Sequence, residues 1–199
     1  MQSFNQEEFN NFALDNNVFG FFEQPITLKS GRQSHWYVDW RRVSEDAFLM
    51  DKLTDYVLSF KDNHQMKVDS FYGVPEGATK LGIITQFKMA KNCTIRYAGS
   101  HSLAMGRGKS KEHGYIRDRH FLGVPRGRTV VLEDVTTTGD SLIETIDKLR
   151  DADVYVASAI SLTNRMEKRD DDDSVRVALA KKEVSYFDMS DALSLLPRA

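Results

Sequence analysis

The chain reads as an α/β protein, a mostly parallel central sheet flanked by helices with a small hood at its N-terminus. Three observations predict this. Residues 129–132 are a β-branched and apolar run that stops at the adjacent acids Glu133 and Asp134, after which a Thr- and Gly-rich loop leads into residues 141–149, apolar at helical spacing. A second unit of the same kind runs from a strand at residues 68–72, through the loop 73–79, into a helix ending near Met89. A third apolar strand, residues 154–162, stops at Thr163, Asn164 and Arg165. Strands alternating with helices build parallel sheets.

Composition bounds the rest. A chain of 199 residues suits one well-buried α/β domain and is short for two. Apolar content of 41% and charged content of 28% are those of a soluble globular protein. A net charge of −2 argues against a nucleic-acid surface, so any anion site has to be built from local basic residues. One cysteine, Cys93, excludes an intramolecular disulfide framework and fits the cytoplasm. The opening MQSFNQEEFNNF lacks the basic start and apolar run of a signal peptide, and no segment is long enough to span a bilayer, so no membrane is expected as a partner.

In chain order, residues 5–17 form a helix with Phe9, Phe12, Ala13 and Leu14 on one face. Phe19, Phe21 and Phe22 then crowd around Gly20, as in a hood or a core. Residues 27–41 place a Ser-Gly turn, with Lys29 and Arg32 at the bend, before an aromatic strand. Residues 44–60 read as a scaffold helix with Phe48, Leu49, Leu53, Val57 and Leu58 on its apolar side, and His64 follows at the surface. Residues 93–97 read as a strand in which Cys93 is buried packing. Residues 99–128 show no apolar periodicity, the mark of a mobile functional loop or of an unrecognised element. Arg107, Lys109, Lys111 and His113 lie there between Gly106 and Gly114, a composition that suits a lid over an anion or a solvated loop. The acids 170–173 read as a solvated loop tip, and residues 184–199 as a strand and a helix with Leu193, Leu195 and Leu196 packing.

The acids and the loop after them carry the chemistry. Backbone N–H groups entering a helix N-terminus bind phosphate; the hydroxyls of Thr136, Thr137, Thr138 and Ser141 add donors, and Gly139 lets the backbone approach. Glu133 and Asp134 cannot bind that phosphate and suit ribose hydroxyls or a hard cation such as Mg²⁺. The combination specifies a phosphorylated sugar. Asp140 would repel the phosphate unless it turns away, for instance as the helix N-cap.

The stretch TVVLEDVTTTGDSLI resembles the phosphoribosyl-pyrophosphate (PRPP) signature of type I phosphoribosyltransferases. LKSGRQS, followed by aromatics and Asp39, is similar to the N-terminal signature of one branch, the orotate phosphoribosyltransferases. The resemblance spans nearly the whole chain and implies the type I fold in a single domain, with the hood from roughly residues 1–40 plus the C-terminal segment and the core roughly 41–180.

It also implies roles. PRPP would be bound by Lys29, Glu133, Asp134, Val135, Thr136, Thr137, Thr138, Gly139, Asp140, Ser141 and Lys109. Orotate would be bound by Tyr37, Val38, Thr137 and Arg165, the guanidinium taking its carboxylate or carbonyl edge. Lys111, Arg107, His113 and Asp134 would be catalytic, with Mg²⁺ carried by PRPP and near Glu133 and Asp134. The loop holding Lys111 would reach into a neighbouring subunit, making a homodimer with shared sites. Departures from the family pattern fall at Gly77, Gly108 and Asn164. Two other classes retain the PRPP loop: a phosphoribosyltransferase for another nucleobase, and a non-catalytic PRPP-binding regulator.

Overall fold

The computed structural model describes residues 3–27, 31–109 and 111–198. Helix α1 (Gln6–Asp15) is capped by Asn5, whose side chain accepts from the N–H groups of Glu7 and Glu8 at 2.9 and 3.1 Å. Phe9, Phe12 and Ala13 are buried, on the face the sequence marks. Strands β1 (Phe19–Thr27) and β2 (Gln33–Val38) pair as an antiparallel hairpin with a break in register between Phe21 and Ile26. Phe19 stacks on Trp36 at 5.9 Å, and Phe22 leans on Tyr37 at 4.9 Å. Trp40 follows the hairpin and is buried; its ring stacks on Phe9 at 5.4 Å.

The helix expected over residues 44–60 is two helices, α2 (Arg41–Ser44) and α3 (Ala47–Asn63). Asp46 divides them, its carboxylate accepting from the N–H groups of Phe48 and Leu49 at 2.9 Å each. Phe48, expected on the apolar side, is 86% exposed. Its neighbours three and four residues on are the exposed Asp51 and Lys52, whereas the buried stripe runs through Met50, Leu53 and Val57.

Strand β3 (Ser70–Gly73) leads through a tight loop into α4 (Thr79–Asn92). The strand expected at residues 93–97 does not form. Cys93 is the half-buried C-cap of α4, and Ile95 and Tyr97 are 64% and 71% exposed. Strand-like composition makes a strand only where a neighbour supplies backbone partners, and none lies alongside among the described residues. The stretch 99–128 holds elements too short for periodicity to reveal: β4 (Met105–Gly106) pairs antiparallel with β5 (Phe121–Leu122), and α5 (Ile116–His120) precedes β5.

Strand β6 (Thr129–Thr136) does not stop at the acids, as the sequence suggests, but runs through them. Its neighbour β7 (Val156–Asn164) continues alongside, placing Glu133 opposite Ser161 and Thr136 opposite Asn164. Helices α6 (Asp140–Asp151) and α7 (Val175–Ala180) follow β6 and β7, and β8 (Ser185–Asp188) completes a four-stranded parallel sheet in the order β3-β6-β7-β8. In the last helix, α8 (Ala192–Leu195), Leu195 is buried but Leu193 is 72% exposed, since one turn offers one face to the core. Both faces of the sheet are covered. Val130 and Leu132 pack towards α1, α3 and α4, and Val131 packs towards α6 and α7, as the strand period requires. No helix among the described residues is long and apolar enough to cross a membrane.

The amino end of the sheet is pinned by one ion pair. Asp69 accepts from Arg128 Nε, Nη2 and backbone N–H, each at 2.8 Å. The Arg128 side-chain hydrogen bonds hold the Asp69 carboxyl down at about 2, below its ordinary 3.8. A depressed acid stabilises the fold above its unfolded value and loses that contribution as pH falls through the folded one. Asp69→Asn therefore lowers the melting temperature at pH 7, and the gap from the unaltered chain narrows between pH 3.8 and about 2; thermal melts at stepped pH measure it.

Candidate active site

A cleft of about 900 Å³ opens where β6 and β7 end, the place open α/β sheets use for ligands. Its walls come from Tyr37 and Val38 of the hood, Arg41 and Arg42 of α2, Pro75 to Gly77 after β3, the end of β6 with the loop into α6, and Arg165 after β7. The Pro75–Glu76 peptide is cis.

The two acids differ in surroundings. Glu133 is 5% exposed and accepts from Thr136 Oγ1 at 2.7 Å, which also takes the Thr136 hydroxyl away from any ligand. Asp134 is half-buried and faces Gly77, where a β-carbon would run into its carboxylate. Gly77 thus keeps room for Asp134, which explains one departure from the family pattern. Burial pushes the Asp134 carboxyl up; backbone N–H groups of Val135 and Asp134 and the charge of Arg41 oppose the rise, and Asp39 adds to it.

The loop after β6 turns at Gly139, which stands before α6 with φ of 81° and no side-chain cap. Asp140 is therefore not the N-cap but the first helical residue. Its carboxylate accepts from Thr138 Oγ1 at 2.6 Å and from Arg169 Nη1 at 2.7 Å, so it is turned into bonds with the protein. Val135 and Thr137 to Ser141 line the cleft.

Arg165 is 6% exposed and lies over the Trp36 ring at 3.7 Å. It donates from Nε to Glu167 at 2.7 Å, from Nη2 to Ser34 Oγ at 2.9 Å and from Nη1 to the Trp36 carbonyl at 3.3 Å. It lines the cleft and at the same time fastens the hood hairpin to the core. Asn164, where an acid is expected, donates to Asp188 at 3.0 Å and accepts from the Met166 N–H at 2.8 Å, holding the turn that presents Arg165.

A second cleft of about 610 Å³ adjoins the first, sharing Glu76, Ser141 and Glu144, and has Arg107 and Lys109 on its wall. The β4–β5 ladder closes the loop that carries them, with Arg107 Nε donating to the Asp118 carbonyl at 2.9 Å and the Lys111 N–H to the Arg119 carbonyl at 3.0 Å. Lys111 and His113 are exposed further out on this loop and line neither cleft. Lys80 donates to the Ser44 carbonyl at 3.0 Å, bracing α4 against α2. Lys29 lies outside the described residues. Sequence reasoning missed Arg169 and Glu167, because the run KRDDDD looks like solvated charge.

A parallel sheet with this acidic strand end and hydroxyl loop, roofed by an aromatic hairpin, defines the class of type I phosphoribosyltransferases. No family-wide sequence profile matches the chain. It is 32% identical over 152 residues to an orotate phosphoribosyltransferase of Rhodopseudomonas palustris, covering 71% of this chain and 74% of that one. Among solved structures, orotate phosphoribosyltransferase from Aeropyrum pernix superposes with a TM-score of 0.71 at 22% identity, over 96% of this chain and 98% of that one. The UMP synthase of Leishmania donovani gives 0.72 at 23% identity, over 96% of this chain but 37% of that longer chain. The chain belongs to the orotate phosphoribosyltransferase family.

Because the Asp134 carboxyl is raised, its ionised form costs stability at neutral pH, and a raised acid favours the fold only where it is protonated. Asp134→Asn is expected to raise the melting temperature at pH 7.5, and the gain should shrink as pH falls towards 3.8; paired thermal melts of the two proteins check the sign.

Proposed function

We propose that the chain transfers the phosphoribosyl group of PRPP to orotate, giving orotidine 5′-monophosphate and pyrophosphate on the route to UMP. The carrying observation is that one cleft gathers the loop after β6, the hood pair Tyr37 and Val38, and Arg165. Family membership supports the choice of orotate over other bases. The single cysteine fits a cytoplasmic setting.

In this reading the backbone from Val135 to Ser141 binds the 5′-phosphate, with Thr137 and Ser141 as hydroxyl donors. Asp134 meets the ribose hydroxyls. Tyr37 and Val38 edge the orotate ring through their backbone, Thr137 lies beside it, and the free donors of Arg165 take its polar edge. Little covalent chemistry is asked of the protein, so positioning and electrostatics lower the barrier.

Magnesium fits this donor set. No group of three or more His, Cys, Asp or Glu side chains that could cage a metal occurs among the described residues, and Mg²⁺ needs one or two carboxylates when substrate phosphates supply other oxygens. Asp134, its carboxyl pushed up by burial, would gain most from a cation, with Glu133 behind it. Bound with PRPP, Mg²⁺ would neutralise the pyrophosphate oxygens.

The departing pyrophosphate meets Lys29, Arg107, Lys109, Lys111 and His113. The outer part of the loop bearing the last four suits a partner's site: Lys111 and His113 are exposed and line neither cleft of their own chain, and a homodimer would bring them over its neighbour's cleft.

The decisive assay follows orotate absorbance with PRPP and Mg²⁺, alongside hypoxanthine, adenine and uracil tested by product chromatography. Orotate loss that needs both PRPP and Mg²⁺, and stops with EDTA, is expected; consumption of another base instead would refute the assignment. For Lys111→Ala, turnover should fall on the order of a hundredfold while PRPP affinity, by titration, changes far less. Equal losses in turnover and affinity would exclude a transition-state role.

A further inference from the structure

We infer that Arg169 is a positioning residue for the phosphate loop, offsetting the Asp140 carboxylate so that an incoming 5′-phosphate can bind at residues 137–141; this rests on the phosphoribosyl-transfer reading. Asp140 opens α6, where backbone N–H groups and the helix dipole attract anions. An uncompensated carboxylate there competes with the phosphate for those groups and repels it.

Both Asp140 oxygens are engaged: Oδ2 accepts from Thr138 Oγ1 at 2.6 Å, and Oδ1 accepts from Arg169 Nη1 at 2.7 Å. The same Nη1 donates to the Thr138 carbonyl at 2.8 Å. Arg169 thus contacts the loop on both sides of Gly139 and offsets the charge of the exposed Asp140 carboxylate.

The arginine is itself anchored. Its N–H donates to the Asp173 carbonyl at 3.0 Å, and its carbonyl accepts from Asp172 at 3.1 Å, so a tight turn fixes its backbone. Its Nε is buried without a hydrogen-bond partner, the nearest Asp171 oxygen standing at 3.7 Å. An unpaired buried donor is a cost. The fold bears it while directing the tip of the guanidinium at residues 138 and 140. Val175 of α7 packs against Gly139, so a β-carbon at 139 would strike its side chain. The loop is thus in contact with both α7 and Arg169.

The test separates this role from general support of the fold. Arg169→Ala should raise KM for PRPP about tenfold while kcat stays within about twofold. Adding Asp140→Asn to that variant should bring KM back to within about threefold of the unaltered chain, because the charge needing compensation is gone. Calorimetric titration of ribose 5-phosphate, which needs no turnover, should follow the same order. Equal affinities for Arg169→Ala and the double variant, or an unchanged affinity in Arg169→Ala, would overturn the inference. Should Arg169→Ala not fold, Asp140→Asn alone decides: tighter ribose 5-phosphate binding supports the role and weaker binding overturns it. Binding and rescue without orotate consumption would sink the proposed reaction and leave the role of Arg169 standing; no ribose 5-phosphate binding by the unaltered chain would overturn both.

Discussion

The cleft depends on how β6 is paired. Between β3 and β7 it is buried on both faces, and Val130, Val131 and Leu132 have no exposure at all. A strand in that position cannot carry polar side chains until its neighbours release it. Strand β3 ends at Gly73, opposite Leu132, while β7 continues to Asn164. Past Leu132 the strand therefore has a strand partner on one side and the loop after β3 on the other. The backbone stays paired to β7 there, while Asp134 and Val135 become half-buried and line the cleft and Glu133 and Thr136 remain buried. The register places Arg165 just beyond the Thr136–Asn164 pair, and the Arg165 N–H donates to the Thr136 carbonyl at 2.8 Å.

The hood is held to that end of the sheet by two aromatic contacts. Trp40 is buried, and its N–H donates to Thr163 at 2.9 Å; that hydroxyl also pairs with Ser190 at 2.9 Å. Arg165 lies over Trp36, a desolvated cation–π contact worth about 2 kcal/mol, with three charged hydrogen bonds around it. Leaving a buried guanidinium unpaired would cost more than that contact yields. Glu167 and the hood's own Ser34 and Trp36 carbonyl are therefore what allow an arginine to stand there. A residue suited to a ligand's carboxylate is thereby also the fastening of the roof above it.

Much of this was legible because it rests on local chemistry. The parallel units at residues 68–89 and 129–149, the PRPP-type loop and the hood hairpin each carry their own apolar period and turn residues. What escaped depends on partners distant in sequence. The apolar run 129–132 stops, yet the strand goes on, because β7 decides its length. Residues 93–97 have strand composition and no strand beside them. The hairpin bearing Arg107 and Lys111 is closed by two-residue strands, Gly106 pairing with Phe121 fifteen positions on. Arg169 could not be told from its solvated neighbours, since its partner Asp140 lies 29 residues away.

The three carboxylates around the phosphate loop show how such a site tolerates negative charge next to an anion. Glu133 sinks into the protein and takes a hydroxyl proton donor, Thr136. Asp140 stays exposed but accepts from Thr138 and Arg169. Asp134 differs: its carboxyl is driven up by burial, with Asp39 adding to the rise, and Gly77 keeps a side chain from crowding it. Two of the acids are thus settled within the fold, and the third retains an electrostatic cost that a cation or hydroxyl-rich ligand would relieve. In the proposed reaction that asymmetry would orient phosphate and ribose: the end at Asp140, whose charge Arg169 offsets, would face the anion, and the end at Asp134 would face what carries positive charge or donates protons.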